Sequence, residues 1–446
     1  MRGSAHVQGI SKSAKAGRRP ASALRAPSPR ERGEGEDIAI VGGGIIGICV
    51  AAYLAEAGRN VTIFDRTGIC EETSSGNAAA LAFSDVLPLA HKGMIRHLPK
   101  WLADPLGPLS IPPTYLPKLL PWLVRFWRAG RSDRYEASLA AQAGMMRLAE
   151  AEWAGLMARS GTENMLREDG SLELYESEAE YKASLPGWAA RQRFGIGFSQ
   201  VEGDALAALQ PGLSPRFVKG TFVPGWKTVT DPKLMGKAIW AYAETKGARF
   251  EKARIDHVGA GQDGATLTLA DGTVRQAKRL VIAAGAWSHL LAKHIGDRIP
   301  LETERGYNTT LPKTAFDVKR QLIFSGHGFV VTPLESGVRV GGAVEFGGIE
   351  RPPNYARSKA LLDKAQKFLP GLDPAGGREW MGLRPSLPDS LPVIGGARQA
   401  GAIVYYAFGH GHLGLTQAAA TGRLVRDLIL GQNPVFDLSP FSPNRF

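Results

Sequence analysis

Cysteine is scarce in this chain: its 446 residues include two, Cys49 and Cys70. Two thiols cannot make a disulfide framework and neither belongs to a CxxC pair, which excludes a disulfide-stapled scaffold and a structural zinc site and suits a reducing compartment. Long apolar runs are also missing. The most hydrophobic stretch, "IAIVGGGIIGICVAAYLA", is broken by glycines and followed by charge. No clean run of the roughly 18–20 apolar residues that a membrane-crossing helix needs occurs elsewhere. Acid is absent from residues 1–30, which hold seven bases: Arg2, Lys12, Lys15, Arg18, Arg19, Arg25 and Arg30. Without them the net charge of +12 falls to +5, so the body is only mildly basic and its charge distribution argues against a nucleic-acid partner. The same leader lacks the apolar core of a signal peptide and shows neither helical nor strand periodicity. Residues 1–36 therefore read as a disordered basic leader. Three origins stay open: a transit segment, a polyanion-binding arm, or an upstream extension of a coding region that starts near Asp37. The abrupt change after "SPRERGEGED" favours the last.

What is present begins at Asp37. With 44% hydrophobic residues the chain can bury at least two cores. In "DIAIVGGGIIGICVAAYLAEAGRNVTIFDR" an apolar strand runs through a glycine turn into an alanine-rich helix and then a second strand, which is a βαβ unit. The spacing Gly42-x-Gly44-x-x-Gly47 has a mechanical reading: a tight turn, a close backbone approach to a pyrophosphate, and helix-on-strand packing. Asp65, at the end of the second strand, is positioned to accept hydrogen bonds from a ribose. A dinucleotide site follows from strand, turn, helix and acid together.

The stretch over residues 86–130 is rich in proline, tryptophan and base, and reads as short helices and turns. Its aromatics either pack inward or meet a membrane surface. A long helix is expected at about Tyr135 to Ser160, then short strands and a helix from Glu168 to Val223. Between Asp231 and Ser288 an amphipathic helix feeds a strand, "ATLTLADGTV" makes a hairpin on an Asp-Gly turn, and "RLVIAAGAWS" is a buried strand ending in small residues. Residues 301–350 alternate like an antiparallel sheet, "GFVVTPLESGVRVGGAVEF" being the clearest hairpin. The chain closes with "AIVYYAF", "GHGHLGLT" and an amphipathic helix.

Arg384, in "GLRP", stands in an apolar stretch before a proline turn, and a planar guanidinium is the natural bidentate partner of a carboxylate. His410 and His412 lack the further ligands a metal site requires, and no other cluster has metal spacing. His257, His294 and His327 have no spacing partner and read as structural.

Five segments in order resemble the D-amino-acid oxidase and dehydrogenase flavoprotein family: the βαβ unit, "ETSSGNAA", "LVIAAGAWS", "GLRPSLPDSLPVIG" and "GHGHLGLT". The likeness spans residues 37–446. It is especially close to bacterial D-amino-acid dehydrogenases, whose proline- and tryptophan-rich insert and closing "FSPNRF" look similar. It implies an α/β plus α+β fold, in which a Rossmann-like FAD-binding domain (37–90, 227–300 and 376–446) is interleaved with a substrate domain (91–226 and 301–375) on a mixed, largely antiparallel sheet. It implies FAD held noncovalently, because members that attach flavin covalently use a late cysteine that this sequence lacks.

The residues that the resemblance assigns to FAD are Gly42, Gly44, Ile45, Ile46, Gly47, Asp65 and Arg66 in the first unit, then Ser74, Ser75, Asn77 and Ala78 on the loop after it. Gly285 and Trp287 follow in the middle, and Gly409, His410, Gly411, Leu413, Gly414, Leu415 and Thr416 near the end, Thr416 adding a hydroxyl at the flavin's pyrimidine edge. Arg384 would hold the substrate carboxylate and Tyr307 would line the substrate side. His412 would be a substrate-side group, since the oxidase branch has a glycine there in a very similar "GHGGYGLT". The implied reaction is hydride transfer from the Cα of a D-amino acid to flavin, giving an imine and then a keto acid plus ammonia, with no strong general base required. "PGWKTVTDP" and the second histidine point toward a cyclic substrate of the D-proline or D-hydroxyproline type. A glycine or sarcosine oxidase and an RNA-modifying flavoprotein are the alternatives, the latter lacking its usual fused methyltransferase. The expected partners are a small amino acid and an unidentified electron acceptor, quinone or redox protein. The expected location is the cytoplasm, with peripheral contact to the inner membrane face through residues 86–130 as a further reading.

Overall fold

The computed structural model describes residues 36–91 and 106–446; the basic leader and the first part of the proline- and tryptophan-rich stretch lie outside the described residues. The apolar strand Glu36–Val41 sits inside an eight-stranded sheet, because it is buried on both faces and carries no polar alternation. Val61–Asp65 and Val274–Ile282 flank it in parallel register, Arg249–Lys252 continues the parallel run on one side, and Val404–Phe408 pairs in parallel with Leu280–Ile282 on the other. Gly264–Leu269 and Ile255–Gly261 extend the sheet antiparallel, with the anticipated Asp-Gly turn: the Asp271 carboxylate accepts from the Thr273 N–H, and Gly272 is left-handed at φ +84°.

The first helix, Ile45–Glu56, is buried almost all round. Its Cys49 and Tyr53 pack against the last helix, Gly414–Ile429, at a point where Gly422 replaces a side chain. A Cβ at Gly422 would sit 2.8 Å from the backbone carbonyl of Cys49 and from the Tyr53 ring. The long helix Ser132–Ser160 lies against the last helix too, and its Trp153 indole N–H donates to the carbonyls of Leu415 and Thr416.

A nine-stranded second sheet runs in the order Arg378–Ser386, Glu302–Leu311, Gly337–Phe346, Phe329–Leu334, Gln321–Phe324, Ser171–Tyr175, Lys219–Val223 and Ser199–Glu202, with Leu109–Ser110 on the third strand. It is antiparallel except where Gln321–Phe324 meets Ser171–Tyr175 and where Leu109–Ser110 joins. Phe217, Phe324, Phe329 and Phe368 fill its far side, Phe368 coming from the helix Ala356–Phe368. Arg378–Ser386, grouped by sequence with the cofactor-binding part, belongs to this second sheet by pairing with Glu302–Leu311. That cross-strand contact carries Arg384 to the site.

Among the described residues the proline-rich stretch holds a 14-residue helix, Leu116–Ala129, where the sequence suggested short pieces. Pro117 sits in the first turn, where no amide is needed, and Pro121 costs only the bond to the Pro117 carbonyl. The helix buries Leu119 and Trp122 against Phe346.

Overpacking a tight helix crossing costs about 1–3 kcal/mol. Gly422→Val should therefore lower the stability of the protein by that amount in a urea titration, whereas Gly197→Ala, at a position open to space and without a left-handed φ, should cost less.

Candidate active site

Five parallel strands end on one side of the first sheet, at Lys252, Asp65, Val41, Ile282 and Phe408, and a cavity of about 800 Å³ opens there toward the second sheet. This is the position at which open α/β sheets take ligands, outside the carboxyl ends of the strands. Its size falls within the roughly 300–1,000 Å³ range of ligand pockets.

At one end lies the first glycine turn. Gly42 has φ +120°, and a Cβ there would stand 2.3 Å from the Ala283 carbonyl oxygen; one at Gly47 would stand 1.9 Å from that of Gly42. Both positions exclude any side chain, which brings the helix onto the strand. Gly44, Ile45 and Ile46 line the cavity. The Ile45 N–H donates to Ser74 Oγ at 3.0 Å, so Ser74 already closes one amide of the first helical turn. Asp65 fastens the turn rather than pointing free: Oδ2 accepts from the Gly43 N–H at 2.7 Å, and Oδ1 accepts from the backbone N–H groups of Thr67 and Gly68. Beside it the Arg66 guanidinium bonds Glu72 and lies 3.8 Å above the Trp287 ring, forming a flat stacked wall. Gly285, left-handed at φ +54°, leaves open space next to that wall.

The loop at residues 73–79 ties the two sheets together. Ser75 donates back to the Glu72 carbonyl, and Asn77 spans the Ser74 carbonyl and the Ala79 N–H. From the second sheet Thr332 donates to the Ala78 carbonyl, Arg339 to that of Asn77, and Asn308 to that of Gly76. Trp380 lies across Gly76 and Gly382, either of which would strike its ring with a Cβ. Asn308, Arg339 and Trp380 line the cavity and were not singled out by sequence. Arg339 has its guanidinium held down to about 10 by burial.

At the other end stands the segment Gly409–Thr416. Gly409 and Gly411 take positive φ, +87° and +52°, and so turn the chain from the last strand into the helix Gly414–Ile429. Leu413, Gly414 and Leu415 border the cavity, and no side chain caps the helix's first turn. His410 is buried, and its Nε2 meets Thr421 Oγ1 at 2.9 Å. That hydroxyl already donates to the Gln417 carbonyl, so His410 is the donor, neutral and protonated on Nε2. Burial drives its pKa down to about 3. Thr416 departs from its expected role at the flavin. Its hydroxyl donates to the Ala80 carbonyl and accepts from the Ala82 N–H, clipping the strand Ala80–Leu81 to the last helix.

Arg384 reaches the cavity over Gly306, whose missing side chain makes room for the guanidinium. Its Nη1 donates to the Ala343 carbonyl at 3.1 Å, and burial lowers its pKa while nearby Glu304 works the other way. His412 also lines the cavity, with Nε2 2.7 Å from Glu304 Oε2. Tyr307 is in the lining of the cavity, but its hydroxyl is engaged on the other side of its strand. Along Glu302–Leu311 alternate residues face opposite ways; the Tyr307 hydroxyl donates to Glu345 and accepts from the Asn354 N–H, and the ring is 1% exposed. Its phenol braces the strand through Glu345 and Asn354.

These residues fit a dinucleotide flavin. Ser74, Gly42 and Gly44 form a cradle that larger residues would fill, Arg66 and Trp287 give a flat surface beside Asp65, and the uncapped last helix offers backbone N–H groups to an electron-rich edge. Cys49 and Cys70 are both buried, with thiol pKa values pushed up by burial.

His410 makes one consequence measurable. Between about pH 6.5 and about pH 3 the unfolded chain binds a proton at this residue that the folded chain refuses. Stability should therefore fall as pH drops through that window, by up to about 1.4 kcal/mol per pH unit. Urea titrations across it should show the His410→Gln variant losing less stability than wild type; parallel curves would contradict the buried neutral imidazole.

A family profile described as FAD dependent oxidoreductase matches residues 37–428. The chain is 34% identical over 420 residues to a D-amino-acid oxidase of Bradyrhizobium diazoefficiens, covering 93% of this chain and 99% of that one. To a D-amino acid dehydrogenase of Rhizobium johnstonii it is 31% identical over 424 residues, covering 92% and 99%. Among solved structures it superposes on glycine oxidase from Geobacillus kaustophilus with a TM-score of 0.70 at 22% identity, over 92% of this chain and 98% of that one. L-proline dehydrogenase from P. horikoshii also gives a TM-score of 0.70, at 20% identity over 93% and 98%. With its glycine cradle and its profile match over most of its length, the chain belongs to the DAO family of FAD-dependent oxidoreductases.

Proposed function

We propose that the protein oxidises a D-amino acid at the carbon bearing the amine, releasing an imine that water converts to a keto acid and ammonia. The observation that carries this reading is Arg384: a half-buried guanidinium in the wall of the cavity that holds the glycine cradle, given room by Gly306. Bound FAD supplies the two-electron acceptor for the hydride. Arg384 binds the substrate carboxylate, contributing about 1.5–3 kcal/mol through charge-assisted hydrogen bonds, and fixes the orientation of the reacting carbon. Trp226, from "PGWKTVTDP", and Phe329 give the cavity apolar wall, with the Trp226 indole held by Gln321. That wall favours an apolar or cyclic side chain of the proline type, which would leave a cyclic imine. The names of the relatives support the D configuration.

Anaerobic mixing of the holoenzyme with paired enantiomers tests this reading. D-amino acids, D-proline among them, should bleach the flavin absorption and their L-partners should not. Arg384→Ala should retain FAD and lose at least tenfold in affinity for carboxylate substrates; unchanged affinity would remove Arg384 from the role.

The acceptor of the electrons is proposed to lie at an anionic lipid surface, as a membrane quinone. On the helix Leu116–Ala129, Leu116, Leu120, Val124 and Trp127 are exposed at helical spacing, the last at 57%. Lys118, Arg125, Arg128 and Arg131 accompany them, and residues 106–131 contain no acid. An apolar stripe with basic flanks binds in the headgroup region without crossing the bilayer, and no helix among the described residues is long and apolar enough to cross one. The protein should sediment with phosphatidylglycerol vesicles and not with phosphatidylcholine vesicles, and the double variant Leu120→Ser/Trp127→Ser should remain in the supernatant with both.

A further inference from the structure

Glu304, on the second strand of the second sheet, stands directly opposite Arg384 in strand register and is 4% exposed. A carboxylate so deeply buried is tolerated only with partners. Burial pushes its pKa up, but the charge His412 carries when protonated, the hydrogen bond from its ring, and then Arg384 outweigh that and hold it below the usual range. An ionised carboxylate only accepts hydrogen bonds. The 2.7 Å contact therefore requires His412 to donate from Nε2. In the neutral ring the lone pair is then on Nδ1, which has no hydrogen-bond partner among the described residues. His412 borders the large cavity and also a second one of about 40 Å³ behind it; Glu304 borders only the smaller. The imidazole thus stands between the substrate space and a buried negative charge.

We propose that His412 is the base that takes the proton from the substrate's ammonium group, with Glu304 as the positioning residue that fixes its tautomer and stabilises its charged form. This rests on the amino-acid reading above. An amino acid arrives near neutral pH with its nitrogen lone pair occupied by a proton, and that lone pair must be free to form the C=N bond as the hydride leaves. One N–H bond of the ammonium breaks, one Nδ1–H bond forms, and no electrons change hands in this step. The charges stay matched throughout: the substrate carboxylate faces Arg384, and the new imidazolium faces Glu304. The other ionisable groups around His412 are committed elsewhere. His410 is neutral and bonded to Thr421, Asp85 pairs with Arg191, and Glu302 accepts from Tyr115. The sequence alone required no base; to that reading the fold adds a histidine at the cavity wall whose Nδ1 has no hydrogen-bond partner among the described residues.

The test is anaerobic stopped-flow reduction of the holoenzyme across pH 6–9, with the D-amino acid that bleaches the wild-type flavin fastest. For wild type the second-order rate constant should reach a plateau below the pKa of the free amine. For His412→Asn it should keep rising about tenfold per pH unit toward that pKa, leaving it about 100-fold slower than wild type at pH 7, the lower end of what general bases contribute. Added imidazole should restore part of the rate of His412→Ala, and benzoate, a carboxylate without an amine, should bind His412→Asn within about twofold of wild type. Glu304→Gln should move the acid limb of the profile to lower pH. If that buried substitution prevents folding, the half-exposed His412 still carries the test alone. A His412→Asn profile identical to wild type overturns the assignment of the base while leaving the proposed function standing. Failure of every amino acid to reduce wild-type flavin overturns the proposed function and the base together.

Discussion

Two backbones touch where Gly42 meets Ala283, and the site depends on that approach. The first strand and the middle strand Val274–Ile282 are hydrogen-bonded neighbours, and the chain must leave both at the same edge without a side chain between them. Gly47 extends the constraint by seating the first helix on the turn, and Gly422 repeats it one layer out, where the last helix meets the first. The order of the parallel strands then fixes what surrounds the cavity. Their ends deliver Asp65 with Arg66, the glycine turn, the Ala283–Trp287 corner and the Gly409–Thr416 segment side by side. Residues up to about 370 positions apart in the chain meet because five strands stop at one level.

The second sheet adds charge to this geometry. Along Glu302–Leu311, Glu304 on one face meets His412 and Arg384, while Arg305 and Tyr307 on the other meet Glu345. Buried ion pairs add little net stability, since desolvation offsets most of the attraction, but they hold their members in one arrangement. Here that arrangement places a cation and an imidazole on the wall of a cavity whose opposite end is built for a dinucleotide. Tyr307 and Glu345 keep the strand rigid from behind.

Much of the first sheet was legible in the sequence because its signals are local. The glycine spacing, the strand that ends at Asp65 and the Asp-Gly hairpin each lie within a few residues, and backbone geometry demands them. The second sheet's contribution was less legible for two physical reasons. Nearly every residue of Glu302–Leu311 is buried, so the strand carries no polar alternation to say which face meets the cavity; Tyr307 was chosen and Glu304 was passed over. Asn308, Arg339 and Trp380 owe their proximity to pairings between distant strands, which no short pattern encodes. Thr416 shows a third limit: it borders the cavity, but a hydroxyl has one proton, and the Ala80 carbonyl takes it. The helix Leu116–Ala129 shows how two prolines in its first half can leave a helix intact when they fall early enough.

The central claim is that the cleared backbone around Gly42 and the N-termini of the first and last helices form a seat for one FAD with no covalent bond. Acid precipitation of the purified protein, with flavin quantified in both fractions, tests it most directly. The account predicts one FAD per chain, all of it released into the supernatant. A protein that carries no flavin, or flavin that precipitates with the chain, would contradict it.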